Sequence, residues 1–320
     1  MIAVFPRDGQ KPAAHPARAT KIATRMFGGF PLSRRRSLGT MRIACYRHGL
    51  VEHLGIVDDE ALRAFPHEID SLARYLQLTP DERSTLPLES SVPLGDVTLL
   101  APVRPRKNVF CVGRNYMGHA EEVARARGTS LNLPSVPTFF TKAPTAIADP
   151  DATLHLSPEV SQQYDWEAEL AAVIGARCRD VAEADALSVV FGYTCLNDVT
   201  ARDLQKEHHQ WFKGKSLDET CPIGPWIVTK DELDDPQTLD IAMRVNGETK
   251  QSSNTGQMIF DVKRIIASLS RGLTLEPGDV IATGTPDGVG FARNPPEFLR
   301  HGDVMEVEVA RIGILRNSVA

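Results

Sequence analysis

YDWEAEL, residues 164–170, runs on through AAVIG to Gly175, and how it is read decides the fold of the chain. Its aromatic and branched apolar residues, closed by a turn glycine, predict a β-strand. Side chains along a strand point alternately to opposite faces. Asp165, Glu167 and Glu169 therefore share one face, and Trp166, Ala168 and Leu170 share the other. The acidic face is either bathed in solvent or holds something positive, and periodicity alone leaves both readings open.

The same texture extends outward. From Arg104 on, runs such as KNVFCVG, TFFTK, VFGYTCLNDV, PWIVT, LDIAMRVNG and VMEVEVARIGILRN are β-rich and separated by Gly, Pro and Asp turns. Three helices are predicted: GHAEEVARARG after Asn115, the polar RDLQKEHHQ after Thr200, and MIFDVKRIIASLSRG. The last places Ile259, Val262, Ile265, Ile266 and Leu269 at helical spacing and stops at Gly272, a pattern of core packing. Before Arg104, the strand-like MRIACY and HLGIVDD and the polar helical piece EIDSLARYLQL form a small module. The expected class is α+β, mainly β, with a small N-terminal module over 41–103 and a catalytic-size domain over 104–320. A chain of 320 residues exceeds the roughly 100–200 of one domain, which fits that division.

Residues 1–40 differ, with Arg34 to Arg36 and five further basic residues against the single acid Asp8. They read as a disordered tail, a transit segment or a mis-assigned start preceding Met41, and are expected to be dispensable. The formal charge of -5 arises from mixed signs without a basic block in the main body, which argues against a nucleic-acid groove or an anionic membrane surface. No apolar run approaches the ~20 residues of a membrane span. Five cysteines, an odd number with no C-x-x-C pair, fit a reduced, cytoplasmic setting. A small-molecule partner is expected.

Several chemistries are excluded. The chain has no G-x-S-x-G elbow and no H-E-x-x-H helix, and Gly214-Lys215-Ser216 lacks a phosphate-loop glycine because His209 stands in its place. GTPDGVG, 284–290, reads as a tight loop whose backbone or Thr285 hydroxyl faces a ligand. What remains are carboxylates in apolar settings: Glu167, Glu169, and Asp198 where a β-like run gives way to a polar helix. Hard divalent cations such as Mg²⁺ take oxygen ligands, and two or three carboxylates at strand ends would suit one. His119 and Glu122, three apart on a predicted helix, face the same way, so the carboxylate could orient the imidazole and raise its basicity; they could equally be a surface pair. Lys213 and Lys215 bracket a glycine, and a lysine there could neutralise an oxyanion or simply be solvated.

In this order, GRNYMGHAEE, FFTKAPTA, YDWEAELAAVIG, GYTCLNDVTARDLQ, FKGKSLDETCPIGPWIV, VNGETKQSSNTGQMIF, LEPGDVIATGTPDGVG and GDVMEVEVARIGILRN resemble the fumarylacetoacetate hydrolase superfamily from about Arg106 to Asn317. The resemblance implies packed sheets around one metal site, commonly in a homodimer. It implies Glu167, Glu169 and Asp198 as ligands of Mg²⁺ or Mn²⁺, His119 and Glu122 as a water-activating dyad on a lid, and Lys215 as the active-site lysine. Arg202, Gln205 and Thr285 match substrate-contacting positions. The larger members carry a further metal-binding aspartate upstream of the histidine, which Asn115 and Tyr116 do not supply, so the three-carboxylate shorter members match better. The implied activity is hydrolysis of a C–C bond in an acylpyruvate-like 2-oxo acid in aromatic catabolism. Isomerisation of a dienoate or decarboxylation of oxaloacetate on the same site is the alternative, and a catalytically silent metal-binding paralogue is the alternative of another class. Asp165 matches no ligand and is expected to tolerate substitution best of the three acids.

Overall fold

In the computed structural model, residues 41–89, 91–233 and 235–320 are described; the expectations about residues 1–40 lie outside the described residues. The strand Ala168–Ile174 is buried along its whole length, as is its neighbour Val190–Asn197. The two pair antiparallel, with Ala168 opposite Asn197 and Glu169 opposite Leu196. On the other side Ala168–Ile174 pairs with Val280–Ala282. Beyond these the large mixed sheet continues one way through Cys221–Thr229, Arg42–His48, Val51–Asp58 and Ala61–Ala64, and the other way to Val109–Gly113 and Thr138–Lys142.

A second sheet orders Glu248–Asn254, Asp240–Val245, Val304–Val309, Gly313–Val319 and Thr153–Leu154. Its first two strands form a hairpin through Asn246-Gly247, both at positive φ, the conformation that an Asn-Gly turn adopts readily. Strand alternation sorts the central strand between two cores. Leu170, Ala172 and Ile174 pack with Met243, Val307 and Leu315 of the second sheet. Ala171 and Val173 pack with Ile43, Val109 and Ile223. Each large apolar side chain so buried stabilises the fold by about 1.5–3 kcal/mol.

Strands of the first hundred residues extend this sheet directly. Arg42 and Ile43 pair with Val228 and Ile227, and Ile43, Leu54 and Phe65 share a core with Val109 and Val173. All three predicted helices form, as Met117–Arg127, Arg202–Glu207 and Val262–Ser270. The third is shorter than its apolar spacing suggests. Asp261 caps it by accepting from the Arg264 amide, while the preceding Ile259 and Phe260 amides donate to the backbone and side chain of Asn115. Those two amides thus hold the segment that leads into Met117–Arg127. Among the described residues no helix is long and apolar enough to cross a membrane.

Candidate active site

The site grows from a break in the predicted strand. Tyr164–Asp165 pairs with Thr200–Ala201, and the regular ladder resumes at Ala168 opposite Asn197. Between them Glu167 N donates to Asn197 Oδ1 at 3.0 Å, and Asp198 N donates to Glu167 O at 2.9 Å. The register of two neighbouring strands therefore sets Asp198 beside Glu167. Glu167, Glu169 and Asp198 each offer an oxygen within 4.8 Å of the others. Their exposures of 5%, 1% and 0% exclude the solvent-face reading.

Buried cations surround this cluster. Lys215 Nζ donates to Glu167 Oε2 at 2.8 Å and Asp198 Oδ2 at 2.7 Å. Lys142 Nζ donates to Asp198 Oδ1 at 2.7 Å and to the Val199 carbonyl at 3.0 Å. Arg202 Nε donates to Asp165 Oδ2 at 2.8 Å, and its second terminal nitrogen lies 2.7 Å from Glu167 Oε1, a charge contact outside hydrogen-bond angles. Burial pushes the Glu167 carboxyl up, but Lys215 and Arg202 outweigh it and hold the group down at about 2. Glu169 takes its hydrogen bond from the Gly284 amide at 2.6 Å rather than from a cation. Burial, then the charges of Asp198 and Glu167, push its carboxyl well above the usual range.

Four buried carboxyl groups, counting Asp165, thus face the buried Lys142 and Lys215 and the largely buried Arg202, and Glu169 is the one that accepts from no cation. An all-oxygen set of this kind fits a hard divalent cation such as Mg²⁺ or Mn²⁺ and lacks the His or Cys that zinc prefers. Glu167, Glu169 and Asp198 could hold such an ion.

His119 Nδ1 lies 2.8 Å from Glu122 Oε1, and both side chains are buried. Glu122 Oε2 also accepts from the Gly288 amide at 2.8 Å, which ties the helix Met117–Arg127 to the glycine-rich loop. The approach is close: a Cβ at Gly118 would stand 2.4 Å from Asp287 Oδ1. His119, Glu167, Arg202, Gln205, Lys215 and Thr285 line one pocket of about 30 Å³. The structure therefore brings these residues together, with Glu122 hydrogen-bonded to His119 and with Glu169 and Asp198 against Glu167, whereas Lys213 is exposed and does not line the pocket.

Sequence reasoning missed three contributors. Lys142 sits inside the quoted FFTKAPTA without any local sign that its ammonium would be buried against Asp198. Gln251 accepts from the Ala168 amide and donates to Thr285 Oγ1 at 2.8 Å, coupling the second sheet to the pocket. Asp165 is the third, and here the structure differs from expectation. Besides Arg202 it accepts from the Gly290 and Phe291 amides at 2.7 and 3.0 Å, with no exposed surface. Removing it strands a buried guanidinium and two amides, so Asp165→Ala is expected to cost about 3–5 kcal/mol of stability, measured by urea denaturation.

The chain is similar to several known proteins. Residues 108–320 match the family described as fumarylacetoacetate (FAA) hydrolase C-terminal. An oxaloacetate tautomerase of Bacillus subtilis is 46% identical over 227 residues, covering 71% of this chain and 74% of the relative. Among solved structures, a fumarylacetoacetate hydrolase of Exiguobacterium antarcticum is 41% identical with a TM-score of 0.75, over 88% of this chain and 99% of that one. A 2-hydroxyhepta-2,4-diene-1,7-dioate isomerase of Mycobacterium marinum is 34% identical with a TM-score of 0.71, over 88% and 98%.

Proposed function

The chain belongs to the fumarylacetoacetate hydrolase family, and from that premise we propose that it is a divalent-cation-dependent tautomerase or isomerase of a 2-oxo acid such as oxaloacetate. The observation that carries the reading is the buried His119–Glu122 dyad opening on the pocket that Glu167 and Lys215 also line. The expectation of C–C hydrolysis gives way because relatives described as oxaloacetate tautomerases and a dienoate isomerase favour the alternative on the same site.

Ketonisation of an enol removes the O–H proton at C2 and adds a proton at C3, while the C2–C3 double bond becomes single and C2–O becomes a carbonyl. With Nδ1–H donating to Glu122, Nε2 of His119 is the basic nitrogen that carries a proton to or from C3. The Glu122 carboxylate fixes that tautomer and steadies the imidazolium. Lys215 supplies positive charge beside the oxygen at C2. Glu167, Glu169 and Asp198 would hold a Mg²⁺ or Mn²⁺ ion, which when bound supplies a Lewis acid that polarises the 2-oxo group. Arg202, Gln205 and Thr285 line the space in which the substrate is oriented.

The test follows the absorbance of enol oxaloacetate after mixing with protein and Mg²⁺ or Mn²⁺. Decay well above the buffer rate, abolished by chelator, is expected, with an acylpyruvate left intact. Cleavage of the acylpyruvate, with enol decay at the buffer rate, would instead establish the hydrolase reading, which the 41%-identical hydrolase structure keeps as the second one. A homodimer, the family's usual assembly, is expected in sedimentation.

A further inference from the structure

We infer that Gln251, on the second sheet, is a positioning residue for substrate binding: its side-chain amide fixes the Thr285 hydroxyl as a hydrogen-bond donor toward an oxygen of the bound 2-oxo acid. The inference rests on the 2-oxo acid reading above and deepens it by naming what sets the polarity of one wall of the pocket.

Gln251 lies on the strand Glu248–Asn254, opposite Met243. Alternation along that strand sends the Lys250 side chain to Glu248 and Glu297 and leaves Gln251 buried. A side-chain amide has an oxygen that accepts and two N–H groups that donate, and here all of these functions are used. Oε1 accepts from the Ala168 amide at 2.9 Å, and Nε2 donates to the Pro286 carbonyl and to Thr285 Oγ1, both at 2.8 Å. The two backbone partners decide which end of the amide faces which way, because an N–H can only donate and a carbonyl can only accept. Nε2 is therefore fixed beside Thr285, and Thr285 Oγ1 receives a proton from it.

A hydroxyl that accepts an N–H keeps its own proton for another partner. Among the described residues that proton has no acceptor, although Thr285 is buried and lines the pocket with His119, Glu167 and Lys215. Thr283, two residues earlier, provides the contrast: its hydroxyl donates to the Leu170 carbonyl at 2.8 Å and is spent on the fold. The bonds that Glu169, Glu122, Asp165 and Trp166 make to the loop 284–290 all end on backbone atoms. Gln251 instead reaches a hydroxyl that faces the pocket. The loop lies close on its strand, for a Cβ at Gly288 would overlap the Lys250 carbonyl oxygen.

The oxygens at the reacting end of a 2-oxo acid, as carboxylate, carbonyl or enolate, all accept hydrogen bonds. A hydroxyl held as a donor suits them, whereas a freely rotating one would spend part of its time presenting a lone pair. Because Oε1 of the same amide caps Ala168, between Glu167 and Glu169, one side chain holds that donor in fixed relation to the segment carrying two of the carboxylates.

The experiment is a double-mutant cycle on the full chain at saturating Mg²⁺, read by calorimetric titration with pyruvate. Thr285→Val, which keeps the shape and removes the hydroxyl, should weaken pyruvate binding about tenfold or more. Gln251→Met should weaken it about threefold or more in the parent, and by less than about 1.5-fold when combined with Thr285→Val. Thr285→Ser should recover most of the affinity lost in Thr285→Val, and with it the sensitivity to Gln251→Met. Equal weakening by Gln251→Met in both backgrounds, or none in either, assigns Gln251 to the fold alone and overturns the inference. If Gln251→Met does not fold, Gln251→Glu takes its place: its carboxylate still accepts from Ala168 but draws the Thr285 proton toward itself. The loss of affinity it causes should then shrink about threefold or more in Thr285→Val, and an undiminished loss is the overturning result. Absence of pyruvate binding to the unsubstituted protein would instead sink the 2-oxo acid reading on which the inference rests.

Discussion

Exchanging His119 for asparagine is expected to lower tautomerisation turnover by about 10²–10⁴, the usual contribution of a positioned general base. The imidazole is buried, and Nδ1 sits 2.8 Å from Glu122, so Nε2 is left to carry the proton. Asparagine keeps a donor for Glu122 but has no group that accepts and releases a proton near neutral pH. Glu122→Gln should fall between the two proteins: an amide oxygen can still accept from the Gly288 amide, yet a neutral partner no longer favours the imidazolium. Stopped-flow decay of the enol measures the rates. The stabilisation conferred by added Mg²⁺ should be preserved in both variants, which separates lost chemistry from a lost metal site. Undiminished turnover in His119→Asn would remove the dyad from the mechanism.

Substitutions of the carboxylates should behave differently from one another because their partners differ. Asp198 accepts hydrogen bonds from two buried ammonium groups, Lys142 and Lys215, so Asp198→Asn leaves buried charge short of its counter-ion and should destabilise the protein by about 3–5 kcal/mol with or without metal. Glu169 is the carboxylate that burial and its neighbours push up. A carboxyl whose pKa is raised on folding favours the folded state in acid, and that contribution is lost as the pH rises through the raised pKa. A charged Glu169 is therefore a burden on the metal-free protein, and Glu169→Gln, which keeps an acceptor for the Gly284 amide, should be as stable as the parent or more so.

The same variant should lose the response to metal. Mg²⁺ at about a hundred times its dissociation constant stabilises a protein by about 2.7 kcal/mol, a rise of several degrees in the melting temperature. Thermal melts with and without Mg²⁺ read both effects, and turnover should vanish along with the metal response. A catalytically silent paralogue would lose the thermal response with no turnover to lose. Wild-type Mg²⁺ stabilisation in Glu169→Gln would take Glu169 out of the site.

Much of this was legible in the chain itself, because it depends on neighbours in sequence. Strand alternation sets Glu169 on the face opposite Ala168 and Leu170, and helical spacing puts His119 and Glu122 on one side of a turn. Both appear in the structure as local geometry requires. The mainly β class likewise follows from branched and aromatic runs punctuated by turns.

Tertiary structure alone decided what depends on partners far apart in the chain. Whether the acidic residues met solvent turned on Lys215, Lys142, Arg202 and the Gly284 loop closing against them, which no local pattern specifies. Asp198 reaches Glu167 only through the register of the adjoining strand. Lys142, arriving from 56 residues upstream of Asp198, is an unremarkable strand-end lysine until the fold buries its ammonium. Asp165 shows the limit most directly. Its place in the run says only which way it points; the guanidinium of Arg202 and the amides of Gly290 and Phe291, brought from 37 to 126 residues away, make it the anchor of the site. Short-range sterics write the face of each side chain into the sequence, whereas the charge balance of a buried site is a sum over neighbours that exist only once the chain has folded.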